Sequence, residues 1–150
     1  MAVLFLDTSA LVKRYVAEVG SQTVTELVSA PSVNILIADI TRAEFASALN
    51  RRLREGTVSP EQHRALKSAF GVHLVDDYLV APLESSHITA ACRVIEAHGL
   101  RAYDAVQLAV ALSLRDLLAP AGEAIGFMSA DPPLNAAARA EGLAVTEPLA

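Results

Sequence analysis

Five short apolar runs divide this chain, and the stretches between them carry helical spacing. Val3 to Leu6 (VLFL), Ile35 to Ala38 (ILIA), Val72 to Val75 (VHLV), Ile125 to Met128 (IGFM) and Leu143 to Val145 are too short for ordinary helices. Continuous apolar runs of this length suit strands buried on both faces, the habit of parallel sheets. Helical patterns are expected over about 9–17, 21–30, 41–55, 60–70, 84–98, 102–118 and 132–141. Strands alternating with helices build βαβ units. The expected fold is therefore α/β, a three-layer α/β/α domain with a mainly parallel central sheet of about five strands. Gly56, Gly71, Gly99 and Gly142 stand where helices should end, since a left-handed cap favours glycine.

At 150 residues the chain fits one domain spanning 1–150, with no linker, internal repeat or low-complexity tract. A domain of that size buries roughly 68–70% of its unfolded surface, enough for a core without staples. The lone cysteine, Cys92, has no internal partner and reads as a small buried apolar residue in a reducing compartment. The start, MAVLFLD, lacks a basic leader region. No apolar stretch approaches the roughly 18 residues of a membrane span, so a soluble cytoplasmic protein is expected. The formal charge of −5 opposes a surface that attracts nucleic acid everywhere. Contact with a polyanion would have to be local, or run through a metal.

Four acids, Asp7, Glu44, Asp104 and Asp131, fall where an apolar segment gives way to a helix, or in that helix's first turn. Each has a structural explanation of its own. Asp7 in LDTSAL and Asp131 in SADPPL suit N-caps, and Glu44 completes a capping-box pattern with Thr41 in TRAE. Asp104 is harder to dismiss, because it opens the helix AYDAVQLAVALSL, which is apolar almost all round and must be central. Capping gives no reason for all four to share one sheet edge, and ligand sites of open α/β folds lie at the carboxyl ends of their strands. Two like charges about 4 Å apart repel by about 4 kcal/mol at an effective dielectric near 20, so such a cluster calls for a cation. Oxygen ligands favour Mg2+ or Mn2+, and the histidines show no zinc-like pairing. A metal beside phosphate suits phosphodiester hydrolysis.

At this point the sequence resembles the PIN-domain ribonucleases, and in particular the VapC-type toxins of toxin-antitoxin pairs. The resemblance lies in FLDTSALVKRY, ITRAEFASAL, LRAYDAVQLAVAL and MSADPPLNAAARAEGL, in that order and spacing. It implies a PIN-like fold and a metal-dependent endoribonuclease with Asp7, Glu44, Asp104 and Asp131 as catalytic acids. Asp7 and Asp104 would bind Mg2+ (or Mn2+) most directly, Glu44 would help activate water, and Asp131 would act through water. Thr8, Ser9 and Ser129 would be the small polar groups beside the metal. Pro132 and Pro133 depart from the charged residues more usual there. The resemblance also implies an RNA substrate, a homodimer and a cognate antitoxin protein, with no membrane partner.

Lys13, Arg14, Arg51, Arg52 and Arg54 read either as solvated cations at helix ends or as contacts to RNA phosphates. Arg101 would pair with the acids or face substrate, and Asp76 and Asp77 read as surface acids. Three rivals remain. An aspartyl phosphatase needs a second acid where Ser9 stands. A receiver-like domain needs a phosphoacceptor Asp and a lysine that the pattern does not supply. A catalytically degenerate PIN-like domain would act as a binding or regulatory module.

Overall fold

The computed structural model describes residues 2–148. Five strands form one all-parallel sheet in the order β3-β2-β1-β4-β5: β1 (Ala2–Leu6), β2 (Val33–Ala38), β3 (Tyr78–Ala81), β4 (Ile125–Met128) and β5 (Ala144–Thr146). Seven α-helices flank it among the described residues: α1 (Thr8–Leu11), α2 (Ser21–Ser29), α3 (Thr41–Glu55), α4 (Pro60–Asp76), α5 (Ser85–His98), α6 (Ala102–Leu118) and α7 (Pro132–Ala140). The three-layer α/β/α architecture follows from side-chain alternation along the strands. Val3 and Phe5 of β1 face one core, with Val94, Leu108, Phe127 and Leu134 from α5, α6, β4 and α7. Leu4 and Leu6 face the other, with Leu11, Val24, Phe45 and Phe70 from α1 to α4. Both faces of β1 are covered, so its sequence is apolar without interruption.

Two expected elements are placed differently. Val72 to Val75 is not a strand but the last turns of α4, where Val72 is 55% and Val75 84% exposed. Only Leu66, Phe70 and Leu74, at helical spacing, reach the core. The third strand is Tyr78–Ala81, directly after α4. Gly71 accordingly lies inside α4, whereas Gly56, Gly99 and Gly142 take the positive φ of helix ends. Asp76 and Asp77 precede β3 rather than follow a strand. Asp77 is exposed, as expected of a surface acid, and accepts from Arg14 Nη2 at 2.8 Å.

The first helical stretch is also shorter than expected, with α1 passing into a 3-10 turn at Val12–Arg14. Cys92 is exposed, contrary to the expectation of a buried residue. The buried face of α5 runs through His87, Ala91 and Val94, and Cys92 falls off that stripe. No helix among the described residues is long and apolar enough to cross a membrane.

Gly20, at φ +91°, opens α2, and a Cβ there would run into the carbonyl of Pro148. Gly20→Ala should therefore cost about 1–3 kcal/mol through left-handed backbone strain and a displaced carboxyl-terminal segment. That corresponds to a melting temperature lower by about 3–9 °C, read by thermal denaturation. An unchanged melting temperature would mean that the segment does not dock on Gly20.

Candidate active site

The strand order reverses between β1 and β4, and the crevice beyond their carboxyl ends is where an open sheet binds ligands. Asp7 leaves β1 there, and Ser129 and Asp131 leave β4 beside it. Glu44 reaches the same place from the first turn of α3, and Asp104 from the first turn of α6. All four acids line one open cavity of about 720 Å³.

Asp7 is both a cap and a member of the site. Its Oδ1 accepts from the Ala10 N–H at 3.0 Å, closing the first turn of α1. Ser9 Oγ donates to its two oxygens at 2.8 and 2.9 Å, and Ser129 Oγ donates to Oδ2 at 2.8 Å. The serines are held in turn: the Ala130 N–H donates to Ser9 Oγ, the Asp131 N–H to Ser129 Oγ, and buried Asn135 to the Ser129 carbonyl. Asp7 is only 3% exposed and has no ion pair among the described residues. Burial therefore dominates and pushes its carboxyl from the usual 3.8 up to about 6, with the Asp104 charge adding a little.

Glu44 is not the partner of a capping box. Thr41 is already the first helical residue, and the helix end at Ile40 carries no side-chain cap. Glu44 turns inward instead, and its Oε1 accepts from Thr8 Oγ1 at 2.9 Å and Gln107 Nε2 at 2.7 Å. Gln107 Nε2 also donates to Thr41 Oγ1 at 2.9 Å. This joins α1, α3 and α6 through one amide.

Asp104 is pushed upward by burial and then by the neighbouring Asp131 carboxylate, against the pull of Arg101. The Arg101 Nε contact is long, 3.4 Å, and that side chain is 87% exposed, so the pairing is weak. Asp131 occupies the cap position of α7 without making a side-chain cap bond.

The donors fit Mg2+ or Mn2+. They are all oxygen, and a nearly buried carboxylate without a cation gains most from one. Among the described residues no three His, Cys, Asp or Glu side chains are arranged to hold an ion by themselves. Mg2+ characteristically takes one or two carboxylates and fills its shell with water and phosphate oxygens.

The raised Asp7 carboxyl makes stability depend on pH. A folded pKa above the unfolded value means that the native state binds the proton more tightly between about pH 4 and 6, so stability falls as pH rises through that window. Metal-free protein should lose roughly 1 kcal/mol of unfolding free energy between pH 5 and pH 7 relative to Asp7→Asn. Subtracting the variant matters, because Asp104 is raised as well and works in the same direction. Parallel curves for the two proteins in urea would contradict this assignment.

An open parallel sheet with carboxylates gathered at its switch point defines a class of α/β proteins with an acidic crevice. The PIN domain family model matches residues 4–123, and the chain belongs to the PIN domain family. The fold is shared with FitAcB from Neisseria gonorrhoeae, at TM-score 0.66 and 16% identity over 97% of each chain. VapC20 of Mycobacterium tuberculosis, a sarcin-ricin loop cleaving toxin, matches at 0.63 and 20% identity over 89% of this chain and 94% of its own. A toxin-antitoxin complex from Klebsiella pneumoniae matches at 0.59 and 13% identity over 99% and 98%. No curated protein matches.

Several residues of the cavity carried little sequence signal. Gln107 is the one polar residue on the inner face of α6 and was readable as such, but its bond to Glu44 was not. Asn135, one turn after Asp131, betrays itself only as a polar residue on the buried stripe of α7. Glu18 and Tyr103, which also line the cavity, had no signal at all.

Proposed function

We propose that the cavity is the active site of a metal-dependent endoribonuclease and that the protein is the toxin of a toxin-antitoxin pair, the whole chain working as one PIN domain. The observation that carries this is a buried, cation-free Asp7 within reach of the Asp104 charge, at the crevice where this sheet would bind a ligand. Likeness to a toxin described as cleaving the sarcin-ricin loop supports RNA as the substrate.

Asp7 and Asp104 would hold Mg2+ or Mn2+, with Asp131 joining through water. When bound, the ion would neutralise charge on the phosphodiester and lower the pKa of the attacking water. The protein's own contribution is positional. Ser9, Ser129 and the Ala10 N–H fix both oxygens of Asp7. Thr8 and Gln107 hold Glu44 Oε1, leaving Oε2 without a partner among the described residues. Oε2 is the atom that takes the proton of the attacking water as the oxygen bonds to phosphorus and the ribose oxygen leaves.

Purified protein incubated with RNA should cleave it in Mg2+, stop in EDTA and resume on adding Mn2+. Binding without cleavage under all three conditions would favour the degenerate binding module instead.

The partners form the second part of the proposal: a homodimer, restrained by a cognate antitoxin whose basic side chain enters the cavity. The likeness to a toxin-antitoxin complex supports the partner. Carboxylates that attract a metal also attract Arg or Lys. Large apolar side chains left exposed, Leu79 on the edge strand and Ile88 on α5 among them, give the dimer surface to bury. Gel filtration of the protein alone and co-expressed with a small protein encoded beside it, followed by the RNA cleavage assay, tests both, and a monomer whose cleavage ignores that protein would refute them.

A further inference from the structure

The cavity has a basic end as well as an acidic one. Lys13, Arg51 and Arg52 line it, together with Glu18. The Glu18 carboxylate is divided between two cations: Oε1 accepts from Lys13 Nζ at 3.2 Å and Oε2 from Arg52 Nη2 at 3.4 Å. Neither cation is loose, since their side chains are only 11% and 20% exposed. Lys13 Nζ also donates to the Val19 carbonyl at 2.6 Å, and Arg52 Nη1 to that of Ala48 at 3.4 Å. Two cations therefore meet one carboxylate, and a third, Arg51, is exposed and lines the same cavity without an ion pair among the described residues.

A carboxylate bridging Lys and Arg inside a cavity presents the single negative charge and paired oxygens of a phosphodiester. We propose that Lys13, Arg51 and Arg52 form a phosphate subsite for single-stranded RNA, beside the phosphate being cleaved, and that Glu18 occupies it in the free protein. This rests on reading the cavity as an RNA-cleaving site. An incoming phosphodiester takes over the two cations, and Glu18 swings to solvent from the exposed stretch between the 3-10 turn and Gly20. Such contacts fix the register of a strand and carry no base preference of their own. The acidic protein thus confines its attraction for RNA to one end of one cavity, and an internal anion shields it until a strand arrives.

Anisotropy of a fluorescein-labelled oligouridylate, measured in EDTA, isolates these contacts from metal and turnover. Glu18→Gln should tighten binding about 3- to 10-fold, because two cations lose an internal competitor. Glu55→Gln, the same charge change on an exposed residue outside the cavity, should alter it less than about twofold. Arg51→Ala should weaken binding and reduce the slope of log affinity against log salt by about 0.7, the value for one phosphate contact on a single strand. Glu18→Gln binding no tighter than Glu55→Gln, or an unchanged salt slope in Arg51→Ala, would overturn the subsite. Failure of the nuclease reading looks different: the variants would bind as stated while the wild type cleaved nothing in Mg2+.

Discussion

Asp7→Asn should slow RNA cleavage about 1,000-fold while raising the melting temperature of the metal-free protein. Both effects come from the same carboxylate. Its charge is held in a site where only 3% of the residue is exposed and where the neighbouring acid repels it. The amide keeps the acceptor for the Ala10 N–H, so the cap of α1 survives, and the two serine hydroxyls can turn to accept from the new NH2 group. Relief of an upward shift to about 6 is worth up to about 3 kcal/mol at pH 7, and burying the amide takes back part of it. A rise of about 4 °C is the expected result. Loss of about 4 kcal/mol of transition-state stabilisation lowers the rate by about 1,000-fold. A variant that is inactive but less stable would show that the wild-type charge is compensated in some other way. A fully active variant would remove Asp7 from the site.

The second large effect is expected at Gln107, which acts by holding Glu44. It is 1% exposed, and its amide donates to Glu44 and Thr41, with Thr8 Oγ1 a further 3.1 Å contact. Gln107→Leu keeps the volume of the core, takes one of the two donors from Glu44 Oε1, and strips the fully buried Thr41 hydroxyl of a strong partner. Stability should fall by about 1–3 kcal/mol, the cost of a buried polar group left unsatisfied. If Glu44 is the general base proposed above, the turnover rate should fall by about 10- to 100-fold with little change in KM, because that base loses its orientation and the phosphate contacts do not. Equal losses in KM and turnover would mean that the variant disturbs binding instead. Gln107→Glu would not rescue it, since a second carboxylate faces Glu44 at hydrogen-bond distance.

The sequence was most legible where one physical requirement acted alone. β4 and α6 begin and end where the apolar pattern says, because β4 and the middle of α6, Ala105 to Leu112, are packed on nearly every side. All four acids were readable as a group from their position relative to strands, and the structure puts all four on one cavity. Reading failed where two requirements shared a segment. VHLV satisfied the strand rule locally, yet Phe70 and Leu66 had already committed those turns to a helix, and YLVA supplied the edge strand. TRAE matched a capping box, but the helix begins one residue earlier than that motif requires, which frees Glu44 for the cavity. Cys92 was misplaced because residue type alone says nothing about which face of α5 it occupies. The bridge from Glu18 to Lys13 and Arg52 spans 34 positions at its longer arm and belongs to tertiary structure alone.

In the proposed mechanism Asp7 and Asp104 together hold a divalent ion with which the cavity hydrolyses RNA. Titration of Mn2+ into metal-free protein, followed by the loss of the free-ion electron paramagnetic resonance signal, tests it most directly. The wild type should bind Mn2+ without RNA present, and Asp7→Asn and Asp104→Asn should each lose that binding while remaining folded. Unaltered Mn2+ binding in both variants, or a wild type that cleaves RNA at full rate in EDTA while binding no Mn2+, would contradict it.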